Sequence, residues 1–123
     1  MILVDTSIWV DHLRVADERL IILLNAGEVL GHPFVLGELA LGNLRQRNVV
    51  LSDLLRLPQA DVASNDEVLQ LIDRETLFDR GIGYVDAHLL AATRLTTDTR
   101  LWTRDRTLNA VAAQLGLAAV LLH

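Results

Sequence analysis

The first four residues, Met1 to Val4, are apolar without alternation, and the fifth is a carboxylate. An unbroken apolar run suits a strand covered on both faces, as in a parallel sheet with helices above and below. Helical spacing follows in 6–14 (TSIWVDHLR) and 17–26 (DERLIILLNA), with Asp17 placed to cap the second helix and Gly27 to stop it. A short strand is expected at 29–31. Pro33 then fits the first turn of a helix running through FVLGELALGNLRQR, where its missing N–H is unsatisfied in any case. Another helix spans 48–56, ADVAS (60–64) is a weak strand, and Ser64 or Asn65 caps a helix through EVLQLIDRETLFD. Gly81 and Gly83 break the chain before the helix YVDAHLLAATRL. RLWT (100–103) and AAVLL (118–122) read as the last strands, separated by a helix from about Asp105 to Leu115.

Strands alternating with helices along the whole length predict an α/β fold. Each crossover helix must cover a face of the sheet, which makes a three-layer α/β/α sandwich around a parallel sheet of four or five strands. With 123 residues and no repeat or linker, residues 1–123 form a single domain that buries roughly two thirds of its unfolded surface. No apolar run approaches the ~18 residues of a membrane span and the start lacks the features of a signal peptide, so a cytoplasmic protein with no membrane partner is expected. The absence of cysteine excludes disulfides, thiolate catalysis and thiolate-bound zinc. All 11 basic residues are Arg, which also excludes an amine nucleophile.

Among 16 acids, four stand where burial would penalise them. Asp5 ends the first strand, and Asp105 follows RLWT, so both lie at carboxyl ends of strands, where open α/β sheets bind ligands. Glu38 is the only charge from Pro33 to Asn43, in a helix apolar enough to be buried all round. Asp86 shares a helical stripe with Leu89 and Leu90, although spacing alone does not bring it to the crevice. Taken singly, Asp5 and Asp105 are ordinary N-caps and Asp86 favours a helix dipole; Glu38 has no such role. Taken together they would repel one another unless a hard dication such as Mg²⁺, bound through oxygen, held them. Sites of that kind perform in-line displacement at phosphodiesters.

VDTS (4–7), Glu38 in GELALG, Asp86 in YVDAHLLAA and Asp105 in WTRDRTL resemble, in this order, the four acidic positions of the PIN-domain family, and within it of the VapC toxins of bacterial toxin–antitoxin pairs. The resemblance covers the whole chain. It implies a Mg²⁺- or Mn²⁺-dependent endoribonuclease, commonly a homodimer, whose RNA cleavage is held in check by a VapB antitoxin. It also implies that Asp5, Glu38, Asp86 and Asp105 are the catalytic and metal-binding residues, and that Thr6, Ser7 and Thr103 orient them. VapB partners are expected to block such a pocket with a C-terminal segment carrying an Arg.

With a net charge of −5, RNA contact depends on local grouping. Arg45 and Arg47 are expected at the end of one helix, and Arg100, Arg104 and Arg106 flank the last acid; each serves solubility or holds phosphate. His12, His32, His88 and His123 lack zinc-pair spacing and read as surface or packing residues. Trp9, Trp102 and Leu13 read as core or interface, and Asp11 and Asp98 as solvated or local caps. Two rival enzymes fail on single residues. A response-regulator receiver needs a Lys, and a haloacid-dehalogenase-like phosphatase needs an Asp where Ser7 stands. The rival from another class is a non-catalytic PIN-fold module that binds RNA or protein.

Overall fold

A computed structural model describes residues 1–121. Among them, the strands β1 (Ile2–Val4), β2 (Val29–Leu30) and β3 (Arg100–Trp102) form one parallel sheet in the order β2-β1-β3. Ile2 pairs with both Val29 and Arg100, and Leu3 with both Leu30 and Leu101. The chain moves from β1 to β2 in one direction and back across to β3 in the other. Right-handed crossovers therefore place helices on opposite faces of the sheet.

The sheet is narrower than the four or five strands expected. The chain reaches both edges without adding a strand: a single bridge pairs Gly31 with Gln59, just before ADVAS, whose Ala60 N–H bonds the Gly31 carbonyl, and another pairs Leu101 with Ala118 of AAVLL. On the first edge Pro58 has no N–H to give, and the Asp61 N–H goes to the Thr96 hydroxyl at 2.9 Å, out of the ladder. On the other edge β3 is only three residues long, so Leu117 and Ala119 find one residue, Leu101, to bond. Leu122, the last residue of AAVLL, lies outside the described residues, as does His123.

The helices are α1 (Thr6–Arg14), α2 (Glu18–Asn25), α3 (Pro33–Ala40), α4 (Arg47–Arg56), α5 (Asn65–Arg74), α6 (Tyr84–Leu95) and α7 (Arg106–Gln114). Asp17 caps α2 through the N–H groups of Arg19 and Leu20, and Gly27 follows the helix with φ +69°, as the pattern predicts. Ser64 and Glu67 close a reciprocal capping box on α5. Two helices stop earlier than expected. α3 ends at Ala40 and Gln46, in the left-handed region at φ 50°, precedes α4, so Arg45 falls in the connection and Arg47 opens the next helix instead of ending α3. The Arg47 guanidinium still reaches back 2.9 Å to the Ala40 carbonyl, where the negative end of α3 welcomes it. In α5, Thr76 takes the left-handed position usually given to Gly, and Leu77 N–H bonds back to Ile72 in a Schellman closure.

Leu3 and Val4 of β1, Leu101 of β3, Leu89 and Leu90 of α6 and Leu108 of α7 are wholly buried in one hydrophobic cluster. Every residue from Ala87 to Thr93 is buried, so α6 is the helix packed on all sides. Trp9 and Trp102 belong to this core, whereas Leu13 is exposed. No helix of the described residues is long and apolar enough to cross a membrane.

Candidate active site: four carboxylates at the strand ends

Asp5 leaves β1 and becomes the N-cap of α1, with its N–H still bonded to the Trp102 carbonyl at 2.9 Å. The residue is only 7% exposed. Its Oδ2 accepts from the Ser7 hydroxyl at 2.7 Å, from the Thr103 hydroxyl at 2.8 Å and from the Ser7 N–H at 3.4 Å. Ser7 Oγ in turn accepts the Arg104 N–H at 3.0 Å, and Thr103 Oγ1 accepts the Asp105 N–H at 3.1 Å. Each hydroxyl has one proton and spends it on Asp5. The two oxygens, 3.3 Å apart, are thus neighbours held by a common acceptor.

Asp105 caps α7, its Oδ1 accepting the Leu108 N–H at 3.0 Å. Asp86 is the third residue of α6, and its Oδ2 accepts the N–H of Gly83 at 3.1 Å, which secures the start of that helix. Glu38 Oε1 accepts the Thr6 hydroxyl at 2.6 Å and so ties α3 to α1. All four acids follow one rule. One oxygen serves the fold, and the other receives no hydrogen bond and no cation among the described residues. The capping roles of Asp5 and Asp105 are real and coexist with a free oxygen on each.

The Asp86 carboxyl is pushed above its ordinary range, first by burial and then by the negative charges of Asp5, Asp105 and Glu38, against the lowering effect of the Gly83 N–H. The four carboxylates therefore share one electrostatic neighbourhood. Among the described residues no three acids or histidines stand at metal-ligating spacing. The expectation of a buried Glu38 is overturned. α3 turns Gly37 and Glu38 to solvent and ends on Leu41, 91% exposed, because its apolar residues outnumber the core positions open to it.

Residues 2–114 match the family described as the PIN domain. The chain belongs to that family. Two curated relatives, each called Ribonuclease VapC32 and from Mycobacterium tuberculosis strains CDC 1551 / Oshkosh and ATCC 25618 / H37Rv, are 52% identical to it over 118 residues, covering 96% of this chain and 95% of theirs. Within the PIN domains, the chain falls among the VapC-type members.

Not every Arg beside this PIN-domain crevice is available to a ligand. Arg104 is engaged, its Nε 2.7 Å from Asp11 and its terminal nitrogen 3.3 Å from Asp17. Arg100 donates to the Thr99 carbonyl at 3.3 Å. Arg45 and Arg106 are exposed and have no partner among the described residues. His32 and His88 are packing residues, 1% and 2% exposed, set edge-on or tilted against the rings of Phe34 and Tyr84. His32 also caps α3 by accepting the Phe34 N–H at Nδ1, a role signalled by Pro33 at the first helical position. Burial, then the charge of His88, pushes the His32 imidazole down to about 4, so it is neutral near pH 7. Asp98 sits in a left-handed turn whose carbonyl accepts the chain's amino terminus at 2.8 Å. Sequence reasoning passed over Arg14, which lines a groove together with Glu38 and Arg45.

Proposed function

We propose that this protein is the toxin of a toxin–antitoxin pair, a divalent-metal-dependent endoribonuclease restrained by a VapB-type antitoxin. The observation that carries the reading is the set of four acids, each with one oxygen committed to the fold and one left free, with no Arg or His neutralising any of them among the described residues. The 52% identity to proteins named as VapC ribonucleases supports RNA as the substrate.

The donor set fits Mg²⁺ or Mn²⁺, since hard cations prefer carboxylate oxygen and the crevice offers no sulfur. Asp5, Glu38, Asp86 and Asp105 would hold the ion. When bound, it supplies charge neutralisation for the phosphodiester and acidifies water. Ser7 and Thr103 fix Asp5 by consuming its Oδ2, which aligns Oδ1, and Thr6 does the same for Glu38. The same free oxygens suit an inserted guanidinium, by which an antitoxin's C-terminal Arg would hold the toxin silent. Exposed apolar residues on the second helix, Ile21 and Ile22, suit a homodimer interface; Trp9 lies in the core and Leu13 lines the groove beside Glu38, so neither takes part.

The test is Mn²⁺ titration of purified protein with RNA as substrate. Cleavage that follows the metal and vanishes in Asp5→Asn, with circular dichroism unchanged, is the expected result. Cleavage in EDTA, or full activity in Asp5→Asn, sinks the metal-dependent reading. A non-catalytic module would show neither cleavage nor metal response.

A further inference from the structure

Most arginines of this chain are spent inside it: Arg47 on the Ala40 carbonyl, Arg94 on Glu75, Arg104 on Asp11 and Asp17. Four, Arg14, Arg45, Arg74 and Arg106, have no side-chain hydrogen bond or ion pair among the described residues. Two of the four meet. Arg14, the last residue of α1, and Arg45, in the connection between α3 and α4, line one groove of about 480 Å³ that has Glu38 in its wall. Helix-end electrostatics accounts for Arg14, but Arg45 lies outside any helix. The groove also carries Val10, Leu13 and Leu44, of which the first two are exposed.

The groove thus joins uncompensated cations and apolar surface directly to one of the four acids, and its volume is in the range of ~300–1,000 Å³ usual for ligand sites. We propose that it is the channel by which the substrate reaches the crevice: Arg14 and Arg45 hold backbone phosphates of nucleotides flanking the scissile bond, and Val10, Leu13 and Leu44 take the face of an unpaired base. Charge complementarity selects the occupant. A polyanion approaching an acidic crevice on a chain of net charge −5 needs cations beside the acids, and these two are not otherwise engaged. An apolar wall selects single-stranded RNA, because only an unpaired base presents its face to a side chain. The inference rests on the ribonuclease reading and names the part of the surface that holds the strand.

The experiment measures fluorescence anisotropy of a fluorescein-labelled, mixed-sequence single-stranded RNA against salt, in an Asp5→Asn background where the RNA stays intact. Each phosphate contact on a single strand contributes about 0.7 to the slope of log K against log salt, so Arg14→Ala/Arg45→Ala should flatten it by about 1.4 and weaken binding at least tenfold. Arg74→Ala, an unengaged Arg on α5, should leave the slope unchanged, and Arg14→Lys/Arg45→Lys should keep it. If the alanine pair does not fold, Arg14→Gln/Arg45→Gln carries the same expectation. An unchanged slope overturns the proposal, as does equal flattening by Arg74→Ala. Retained RNA binding with lost binding of an antitoxin peptide also overturns it and assigns the groove to the peptide. Failure of this groove alone leaves wild type still cleaving RNA, whereas failure of the ribonuclease reading leaves wild type inactive.

Discussion

Two carboxylate clusters lie close together in the chain's fold and have opposite chemistry. Around Asp17, at the start of α2, every charge is answered. Its oxygens accept the N–H groups of Arg19 and Leu20, the Arg19 guanidinium at 2.9 Å and Arg104 at 3.3 Å, and Asp11 takes the other edge of Arg104 at 2.7 Å. The Arg19 guanidinium, aided by the backbone donors, holds the Asp17 carboxyl at about 2. In the crevice around Asp5 the acids meet hydroxyls and N–H groups but, among the described residues, no cation, and Asp86 moves the opposite way. A saturated cluster contributes to stability; an unsaturated one stores repulsion that a ligand can relieve. Arg104 marks the boundary. Its backbone N–H serves the crevice through Ser7 while its side chain serves Asp17.

The largest effect that sharpens this contrast is expected from Asp5→Asn, which removes charge from the crevice and should lower metal-dependent RNA cleavage by more than about 100-fold, since even residues that merely orient metal ligands cost 10–100-fold. Activity within tenfold of wild type would erase the distinction between the clusters. Ser7→Ala and Thr103→Val come next, each expected to reduce cleavage by about 10–100-fold with little change in RNA binding. Equal loss in binding would show that the hydroxyls touch substrate.

Stability should respond in opposite directions in the two clusters. Asp17 has a depressed carboxyl, so its contribution is present above pH ~4 and fades as pH falls toward about 2. Asp17→Asn keeps the cap but loses the ion pairs, and should lower stability at pH 7 by about 1–2 kcal/mol, measured by urea unfolding. Asp86 is raised in the folded chain, so its ionised form is a burden at pH 7 that disappears once pH falls below the ordinary carboxylate range. Asp86→Asn should therefore leave the metal-free protein equally or slightly more stable, by up to about 1 kcal/mol. A matching loss in both variants would make Asp86 a structural cap. The smallest shift to seek is in wild type itself: Mg²⁺ should raise its Tm, and should do so less in Asp5→Asn, because only the folded crevice binds the ion.

Much of the fold is legible locally. The MILV run, the Asp17 and Ser64 caps and the Gly27 stop act through neighbours a few residues away, and each stands where the pattern puts it. The misplaced boundaries have local but weak signals. Thr76 occupies a left-handed position that Gly or Asn would have advertised, so α5 looks longer in sequence than it is, and α3 stops at Ala40 before Gly42 and Asn43, breakers that its apolar run outweighs in the pattern. Glu38 drew attention for a false reason. It is exposed, and its bond from Thr6, thirty-two residues away, is what ties it to the crevice.

By itself, the sequence determined the chemical stock: oxygen donors without cysteine or lysine, acids at the carboxyl ends of β1 and β3, and hydroxyls at Thr6, Ser7 and Thr103. Only the tertiary structure decided which of these meet. Parallel pairing of β1 with β3 sets Ser7 and Thr103 on one oxygen of Asp5, and the placing of α6 brings Asp86 within reach of the charges of Asp5, Asp105 and Glu38. It likewise decided which cations are spent, tying Arg104 to Asp11 and Asp17 and leaving Arg14, Arg45 and Arg106 unengaged. The reason is range: capping and periodicity act within a turn or two of chain, whereas charge neutralisation depends on distances between residues nearly a hundred positions apart.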